Sequence, residues 1–172
     1  MPVTRTAPSR RAALAATGAA AATGLLAACT EDSGAPDAER VAAERARARA
    51  ARAETALRLR TSAASASLRD RYEAVALRHP AVRDRLAPLR EEAARHTTAL
   101  AADHPRPSAP PSSPVPDDPT EALRELAATA RQVSDAHTAA LTDAPPELAR
   151  LLASVAAAGA VHAYLLTRRE GG

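Results

Sequence analysis

The sequence predicts an all-α protein built as a four-helix bundle. Alanine, the residue with the highest helix propensity, dominates an apolar fraction of 46%. The chain has no alternating β-branched run and no Asn-Gly or Asp-Gly pair, which are the usual signs of strands and hairpins. Proline-containing breaks divide the part after the N-terminal region into four segments with apolar residues at helical spacing.

The first 28 residues have the pattern of an export signal. The opening "MPVTRTAPSRR" carries Arg5, Arg10 and Arg11 without an acid, and the 17 residues 12–28 have no charge. A cationic region followed by an apolar run and small residues is typical of secretory signals. A membrane-spanning helix is the alternative. The run lies at the short limit of about 17–25 residues for a span, and alanine is only weakly apolar.

The signal ends in Leu26, Ala27, Ala28 and Cys29, and Cys29 is the only cysteine of the chain. This stretch resembles the lipobox of bacterial lipoproteins. The resemblance implies that a diacylglycerol is attached to the sulfur of Cys29 and that cleavage leaves Cys29 as the first mature residue. A lone thiol fits this role because it cannot form an internal disulfide. A free cysteine in a discarded signal is the alternative. We expect a lipid-anchored protein on the extracytoplasmic face of the cell membrane, with residues 29–36 as a polar tether.

Arg10 and Arg11 stand directly before the apolar run. They resemble the twin-arginine export motif. The aromatic residue usual in that motif is replaced here by Ala13. Two ordinary arginines of a general secretion signal explain the pair equally well, so both routes stay open.

Removal of the signal changes the charge balance. All 20 acids follow residue 28 and three of the 23 basic residues precede it, which leaves 20 of each in the mature chain. The pI of 9.9 therefore belongs to the precursor, and it does not indicate a nucleic-acid partner. Every basic residue is arginine, and Lys, Ile, Asn, Phe and Trp are absent. Such a bias is typical of GC-rich genomes, as in actinobacteria.

The first helix is predicted from Asp37, a favourable N-cap, to Leu77. The serine-rich stretch 61–67 is a plausible kink because serine competes for backbone hydrogen bonds. Pro80 ends the helix, since the residue before a proline avoids the helical region. Residues 39–60 carry seven arginines and three glutamates. A solvated helix face is the ordinary interpretation, and contact with anionic headgroups or with a partner is the alternative.

Three further helices are predicted. The second helix covers residues 80–102 and bends at Pro88, the third begins with a cap at Thr120, and the fourth covers residues 146–168. In each, apolar residues and one histidine recur at spacings of three and four and form a seam. The seams are Val82, Leu86, Leu89, Ala93, His96 and Leu100; Leu123, Leu126, Ala130, Val133, His137 and Leu141; and Leu148, Leu151 or Leu152, Val155, Gly159, His162, and Leu165 or Leu166.

A Pro/Ser linker, residues 103–119, joins the second and third helices, whereas tight proline turns join the others. An extended proline-rich segment reaches about 45–50 Å at ~3 Å per residue, which exceeds the ~35 Å of a 23-residue helix. The linker can therefore run the length of the bundle and give an up-down-down-up order. A surface loop in a simple up-down bundle is the alternative.

The two hairpins, the long crossover and the stretches "RHPAVRDRLAPLREEAARHTTAL" and "DAPPELARLLASVAAAGAVHAYLL" resemble the ferritin-like domain proteins of actinobacteria. The resemblance covers residues 38–168 and implies a ferritin-like bundle. We therefore expect a bundle over residues 37–168 and a tail over residues 169–172.

The histidines are the candidate metal ligands. Ferritin-like di-metal sites need Glu-x-x-His on two helices, but no glutamate lies three residues before His96, His137 or His162. A seam histidine is usually a half-buried core residue, and a Zn or Cu site is the alternative. Residue counting in the crossover order places His96 level with His137 and His162 ~15–20 Å away, whereas the simple up-down order pairs His96 with His162 and isolates His137. We therefore expect no site formed by all three and no tight metal binding.

These observations predict a non-catalytic helical bundle that acts as a binding or scaffolding module at the cell envelope. The chain has no Gly-rich phosphate loop and no G-x-S-x-G nucleophile motif. We expect an unidentified envelope protein as its partner, and no cofactor besides the diacylglycerol on Cys29. The alternative is a metal-binding or metal-sensing lipoprotein that uses His96, His137 and His162.

Overall fold

The structure is a computed structural model, and it describes residues 35–105 and 113–168. Within these ranges the chain forms four α-helices and two short 3-10 turns, with no strand. The helices are α1 (Ala35–Arg78), α2 (Arg83–Ala101), α3 (Pro119–Ala139) and α4 (Pro146–Thr167). The prediction of an all-α protein with four helices is confirmed. The predicted signal, the tether up to residue 34 and the tail 169–172 lie outside the described residues.

Helix α1 is unbroken over 44 residues, including the stretch 61–67. The prediction of one helix through this stretch is therefore confirmed, and its hydroxyl groups bond within the helix: Thr61 donates to the Leu57 carbonyl at 2.9 Å and Ser62 to the Leu59 carbonyl at 3.1 Å. The division between the two units of the chain falls inside α1, between Arg40 and Val41.

In the second unit, α1 contributes to the core only from Leu57 onward. Residues 41–53 are exposed apart from a half-buried Ala48, whereas Leu57 is buried. The sequence placed the start of the bundle at Asp37. The difference arises because alanine and arginine make a stable helix in residues 41–56 without any large apolar side chain facing inward.

Helix α2 begins three residues later than predicted, at Arg83, because Pro80–Val82 form a separate 3-10 turn. Pro88 lies inside α2 and is exposed. The helix ends at Ala101, and Ala102 adopts a left-handed φ of 49° that stops it.

The N-cap of α3 is Asp118, so the prediction of Thr120 as the cap is wrong. The Asp118 carboxylate accepts a hydrogen bond from the Glu121 N–H at 2.7 Å, and Pro119 occupies the first helical position. Proline is favoured there because the first N–H groups of a helix have no acceptor within the helix, so a residue without an N–H loses no hydrogen bond. Aspartate is among the best caps. Thr120 lies one residue too late for this role.

The core consists of two clusters of buried side chains in the second unit. The larger contains Leu68, Tyr72, Val75, Ala76, Leu86, Leu89, Ala93, Ala122, Leu126, Ala127, Ala130, Ala163 and Leu166. The smaller contains Leu57, Leu100, Leu148, Leu152 and Val155. The first joins the C-terminal parts of α1 and α4 to the N-terminal parts of α2 and α3. The second joins the other ends of α2 and α4 to Leu57 of α1.

Helices α3 and α4 approach closely at a glycine. A β-carbon at Gly159 would lie 3.1 Å from the Ser134 β-carbon and 3.5 Å from the Ala130 carbonyl oxygen. The Ser134 hydroxyl donates to the carbonyl of Ala156 across the same interface, at 2.7 Å. The small residue at position 159 lets the helix backbones approach and makes this buried hydrogen bond possible.

Candidate functional site

A hydrogen-bonded network of two buried side chains and one half-buried carboxylate links three helices. Tyr72 of α1 is fully buried, and its hydroxyl lies 3.1 Å from His162 Nδ1 of α4. His162 Nε2 lies 3.0 Å from Glu92 Oε2 of α2. The two rings also meet edge to face, with centroids 5.9 Å apart. One proton arrangement satisfies every bond, with the tyrosine O–H donating to Nδ1 and the imidazole Nε2–H donating to the carboxylate.

His96 approaches the same carboxylate from its own helix. Its Nε2 lies 3.7 Å from Glu92 Oε1, one turn away on α2. The separation of about 15–20 Å predicted between His96 and His162 for the crossover order is therefore wrong, since both histidines flank Glu92. Their approach is the one predicted for the simple up-down order. Glu92 thus contacts an imidazole that is only 2% exposed, that of His162.

The environment sets the charge of each group in the network. Burial raises the pKa of the Tyr72 phenol, and the Glu92 carboxylate raises it further. The hydrogen bond from His162 holds the pKa of Glu92 below its usual value, although burial opposes this effect. Burial lowers the pKa of His96, and the Glu92 carboxylate opposes that shift. At neutral pH the network therefore contains a neutral phenol and an ionised carboxylate.

This arrangement is suited to holding helices together. A phenol that is fully buried and stays protonated is not an accessible nucleophile. The Tyr72–His162 and His162–Glu92 bonds each cross between helices, so these three side chains fix the relative positions of α1, α2 and α4. Within residues 35–105 and 113–168, no group of three His, Cys, Asp or Glu side chains is placed to hold a metal ion.

His137, the third seam histidine, contacts α1. Its Nε2 lies 3.2 Å from the Thr61 carbonyl oxygen and 3.5 Å from the Ser65 hydroxyl. Its buried Nδ1 has no hydrogen-bond partner among the described residues. Burial lowers the pKa of His137, while the bond to Thr61 opposes the shift. A surface cavity of about 390 Å³ is lined by Leu57, Arg60, Thr61, Ala64, Ala136, His137, Ala139, Ala140 and Asp143.

His79, at the end of α1, is half-buried. Its Nε2 donates to the carbonyl oxygen of Pro116 at 2.9 Å and so ties the end of α1 to the linker. His104, the other histidine at a helix end, is half-buried. The lipobox Leu26 to Cys29 and the arginine pair Arg10 and Arg11 lie outside the described residues.

An exposed apolar face lies on the outer side of α4, which we call the α4 face. It consists of Val161, Tyr164 and Leu165, which are 53%, 58% and 39% exposed. Arg168 lies over the Tyr164 ring at 5.7 Å from its centroid. Positions spaced by three and four residues share one side of a helix, so the three side chains form a continuous surface.

Helix α4 is also the one described helix long and apolar enough to cross a membrane, judged by length and composition. Its most apolar 18-residue window has a mean hydropathy of 1.4, and 39% of that window is buried. The opposite side of α4 supplies eight buried residues, among them His162 of the polar network.

The fold and these contacts define an all-α, four-helix protein with an internal Tyr–His–Glu network and an exposed apolar helix face. Comparison with known protein families, with curated proteins and with solved structures gives no match.

Sequence reasoning found the histidines but missed Tyr72 as a partner and the contact of Glu92 with His162. One signal was present for tyrosine, since a phenol in an apolar core needs a hydrogen-bond partner. For Glu92, the spacing of four residues to His96 was visible. The contact with His162 depends on how α2 and α4 align, which the seam pattern alone does not specify.

The histidines and Glu92 predict a bundle that loses stability in acid. Because the pKa values of His96 and His137 are lowered from 6.5, the unfolded chain binds protons first as the pH falls. The contribution of these two histidines to the free energy of unfolding is therefore fully present above about pH 6.5 and decreases below it. The contribution of Glu92 is lost as the pH falls below about 4.5. Each group contributes up to about tenfold per pH unit in the unfolding equilibrium constant. Urea denaturation between about pH 7.5 and 5.5 measures the slope.

His96→Gln is the test variant and His104→Gln the matched control. The first removes a half-buried imidazole beside Glu92 and is expected to flatten the pH dependence. The second removes an imidazole beyond the end of α2 and is expected to leave the slope near that of the unmodified chain. A slope that stays unchanged in His96→Gln would contradict the assignment.

Proposed function

We propose that this chain is a lipid-anchored lipoprotein of the extracytoplasmic membrane face, and that its helical bundle is a non-catalytic binding module. The anchor is supported by the Leu26-to-Cys29 stretch behind an uncharged run and by the absence of any other cysteine. Two acyl chains hold a protein durably at a membrane where one is marginal. The bundle then presents its surfaces to other proteins of the envelope.

We infer further that the bundle has the up-down-down-up order of ferritin-like folds, with the Pro-rich segment as crossover. The larger core cluster supports this order because it brings together the N-terminal residues of both α2 and α3. Contacts at the end of the linker support it as well. Arg71 donates to the Pro114 carbonyl and pairs with Glu125, and Arg78 pairs with Asp117. The linker thus ends beside the C-terminal part of α1, while α2 ends beside Leu57.

The observation that carries the binding role is the α4 face. Contiguous exposed apolar surface on a soluble domain commonly marks an interaction site. Tyrosine and arginine are also enriched among the residues that dominate binding energy, and Tyr164 with Arg168 supplies both. The occupant we propose is a protein of the cell envelope with a complementary apolar patch, since three side chains on one helix face match the anchor spacing of helix-to-groove contacts.

Crosslinking in living cells tests this role. A photoreactive amino acid at Tyr164, or at Gln132 on the exposed side of α3 as control, is introduced into the full chain. We expect one discrete adduct from position 164 and none from position 132, with the 164 adduct lost when Val161→Asp adds a charge to the α4 face. Burying an unpaired charge in such an interface costs several kcal/mol, enough to lower the affinity by more than a hundredfold.

The adduct's mass distinguishes the outcomes. A heavier adduct that vanishes in Val161→Asp supports a separate envelope protein. An adduct of twice the mature mass identifies a second copy of this chain as the occupant, and it would replace the proposed partner by self-association. Equal labelling from both positions would remove the α4 face as a specific site.

A further inference from the structure

The arginines of α1 fall on two opposite sides of the helix. At ~100° per residue, Arg45, Arg49, Arg52 and Arg60 lie within about 80° of arc, and we call this set the arginine stripe. All four are exposed. Arg40, Arg47 and Arg58 lie on the opposite side, within about 20° of one another. The helix therefore carries two separate sets of cations in residues 40–60.

The acids of the same region accompany the second set alone. Arg40 pairs with Asp37 at 3.5 Å and Arg58 with Glu54 at 2.9 Å. Arg47 has Glu44 three residues before it, the spacing at which helical side chains are neighbours. No member of the arginine stripe has an acid three or four residues away in either direction.

Segregation of this kind concentrates positive potential on one side of a helix in a mature chain without net charge. Within the stripe, Arg45 and Arg49 are four residues apart and Arg49 and Arg52 three, so like charges face each other and weaken the helix. An anionic surface removes this repulsion. Small alanines between the arginines keep the side flat, and Val41 and Leu59 lie at its edge, exposed by 42% and 37%.

We propose that the arginine stripe lies against the anionic phospholipid headgroups of the membrane to which the chain is anchored. The stripe extends about 22 Å along α1, at 1.5 Å per residue, and its last member, Arg60, also lines the surface cavity beside His137. A planar array of phosphates matches such a line of guanidinium groups, and exposed apolar residues beside them enter the interface. The proposal rests on the lipid anchor to the extent that the anchor supplies the nearby membrane.

Chain length makes the contact feasible. Ala35, the first residue of α1, follows Cys29 by six positions, and this segment spans at most about 20 Å when extended. Ten further residues of helix reach Arg45 with a rise of about 15 Å. An acyl chain on Cys29 therefore keeps the start of the stripe within about 35 Å of the bilayer surface. Each arginine near an anionic surface strengthens binding by about fivefold, so three together contribute on the order of a hundredfold.

Hydrogen exchange on the full chain tests the proposal with a local readout. The unlipidated chain is mixed with vesicles of phosphatidylcholine and phosphatidylglycerol, or of phosphatidylcholine alone. We expect slower exchange of the amides of residues 41–60 with the anionic vesicles only, and loss of this added protection at high salt. Mass analysis of the natural protein tests lipidation of Cys29 separately, so failure of the anchor and failure of the stripe are distinguishable.

Two triple variants remove equal charge from the two sides of α1. Arg45→Gln, Arg49→Gln and Arg52→Gln together are expected to abolish the added protection, while Arg40→Gln, Arg47→Gln and Arg58→Gln together retain it. Circular dichroism confirms that both variants keep their helix content. Equal loss in the two variants would show a general charge effect and overturn the proposal. Equal exchange with both kinds of vesicle would also overturn it and leave the stripe as a surface for an acidic protein.

Discussion

Replacement of Cys29 by alanine is expected to move the protein from the membrane fraction to the soluble fraction. Alanine has no sulfur to accept the diacylglycerol, and the recognition stretch that ends at Cys29 loses its reacting residue. Each buried methylene of an acyl chain contributes about 0.8 kcal/mol to membrane attachment, so the loss of two chains removes essentially all retention by the anchor. Fractionation of cells and the intact mass of the protein measure the effect.

Thr30→Ala is the matched control, since it changes the residue directly after the cysteine and leaves the thiol in place. This variant is expected to stay in the membrane fraction with the mass of a lipidated chain. Cleavage and membrane retention of Cys29→Ala at the level of the unmodified protein would refute the lipid anchor. Retention without cleavage would instead show that the uncharged run over residues 12–28 holds the chain as a membrane-spanning helix.

The helices could be predicted from sequence because their signals are local. High alanine content, prolines at the breaks and apolar residues at spacings of three and four are each readable within a few turns. The first and last residues of the helices are harder to predict. The N-cap is the residue that takes the extended conformation, and several neighbouring polar residues can do so. At α3, both Asp118 and Thr120 are acceptable caps, and Pro119 decides in favour of Asp118 by taking the first helical position.

The residue of α1 at which the buried core begins could not be predicted from the sequence. Residues 41–56 are as helical by composition as residues 57–78, but only the second part carries large apolar side chains such as Leu57, Tyr72 and Val75. Alanine is compatible with a buried and with an exposed helix face. An alanine-rich sequence therefore predicts that a helix forms but not which of its residues are buried. The core of the bundle begins where leucine and valine first face the other helices.

The polar network illustrates a second limit. The error in the His96-to-His162 distance came from counting residues from the helix ends, which leaves out the offset between helices and the reach of side chains. Arg85, near the start of α2, donates to the carbonyls of Leu165 and Arg168 at the end of α4 and shows how the two helices align. Glu92 then spans the remaining gap between the two imidazoles.

Gly159→Leu is expected to destabilise the bundle strongly. A β-carbon alone would approach the Ser134 β-carbon to 3.1 Å, and leucine adds three further carbons to a site that is already buried. Overpacking of this kind costs about 1–3 kcal/mol and sometimes more. Displacement of α3 would also break the bond from the Ser134 hydroxyl to the Ala156 carbonyl, worth about 0.5–1.5 kcal/mol. The midpoint of urea denaturation measures the loss.

Two neighbouring variants separate packing from helix propensity. Ala160→Leu places the same side chain one residue later, on the exposed side of α4, and is expected to change the free energy of unfolding by less than about 0.5 kcal/mol. Gly159→Ala gains about 1 kcal/mol of helix propensity. That gain offsets the small shift its β-carbon forces on Ser134, so its net effect is expected to be near zero. If Gly159→Leu proves as stable as Ala160→Leu, then α3 and α4 do not meet at this glycine.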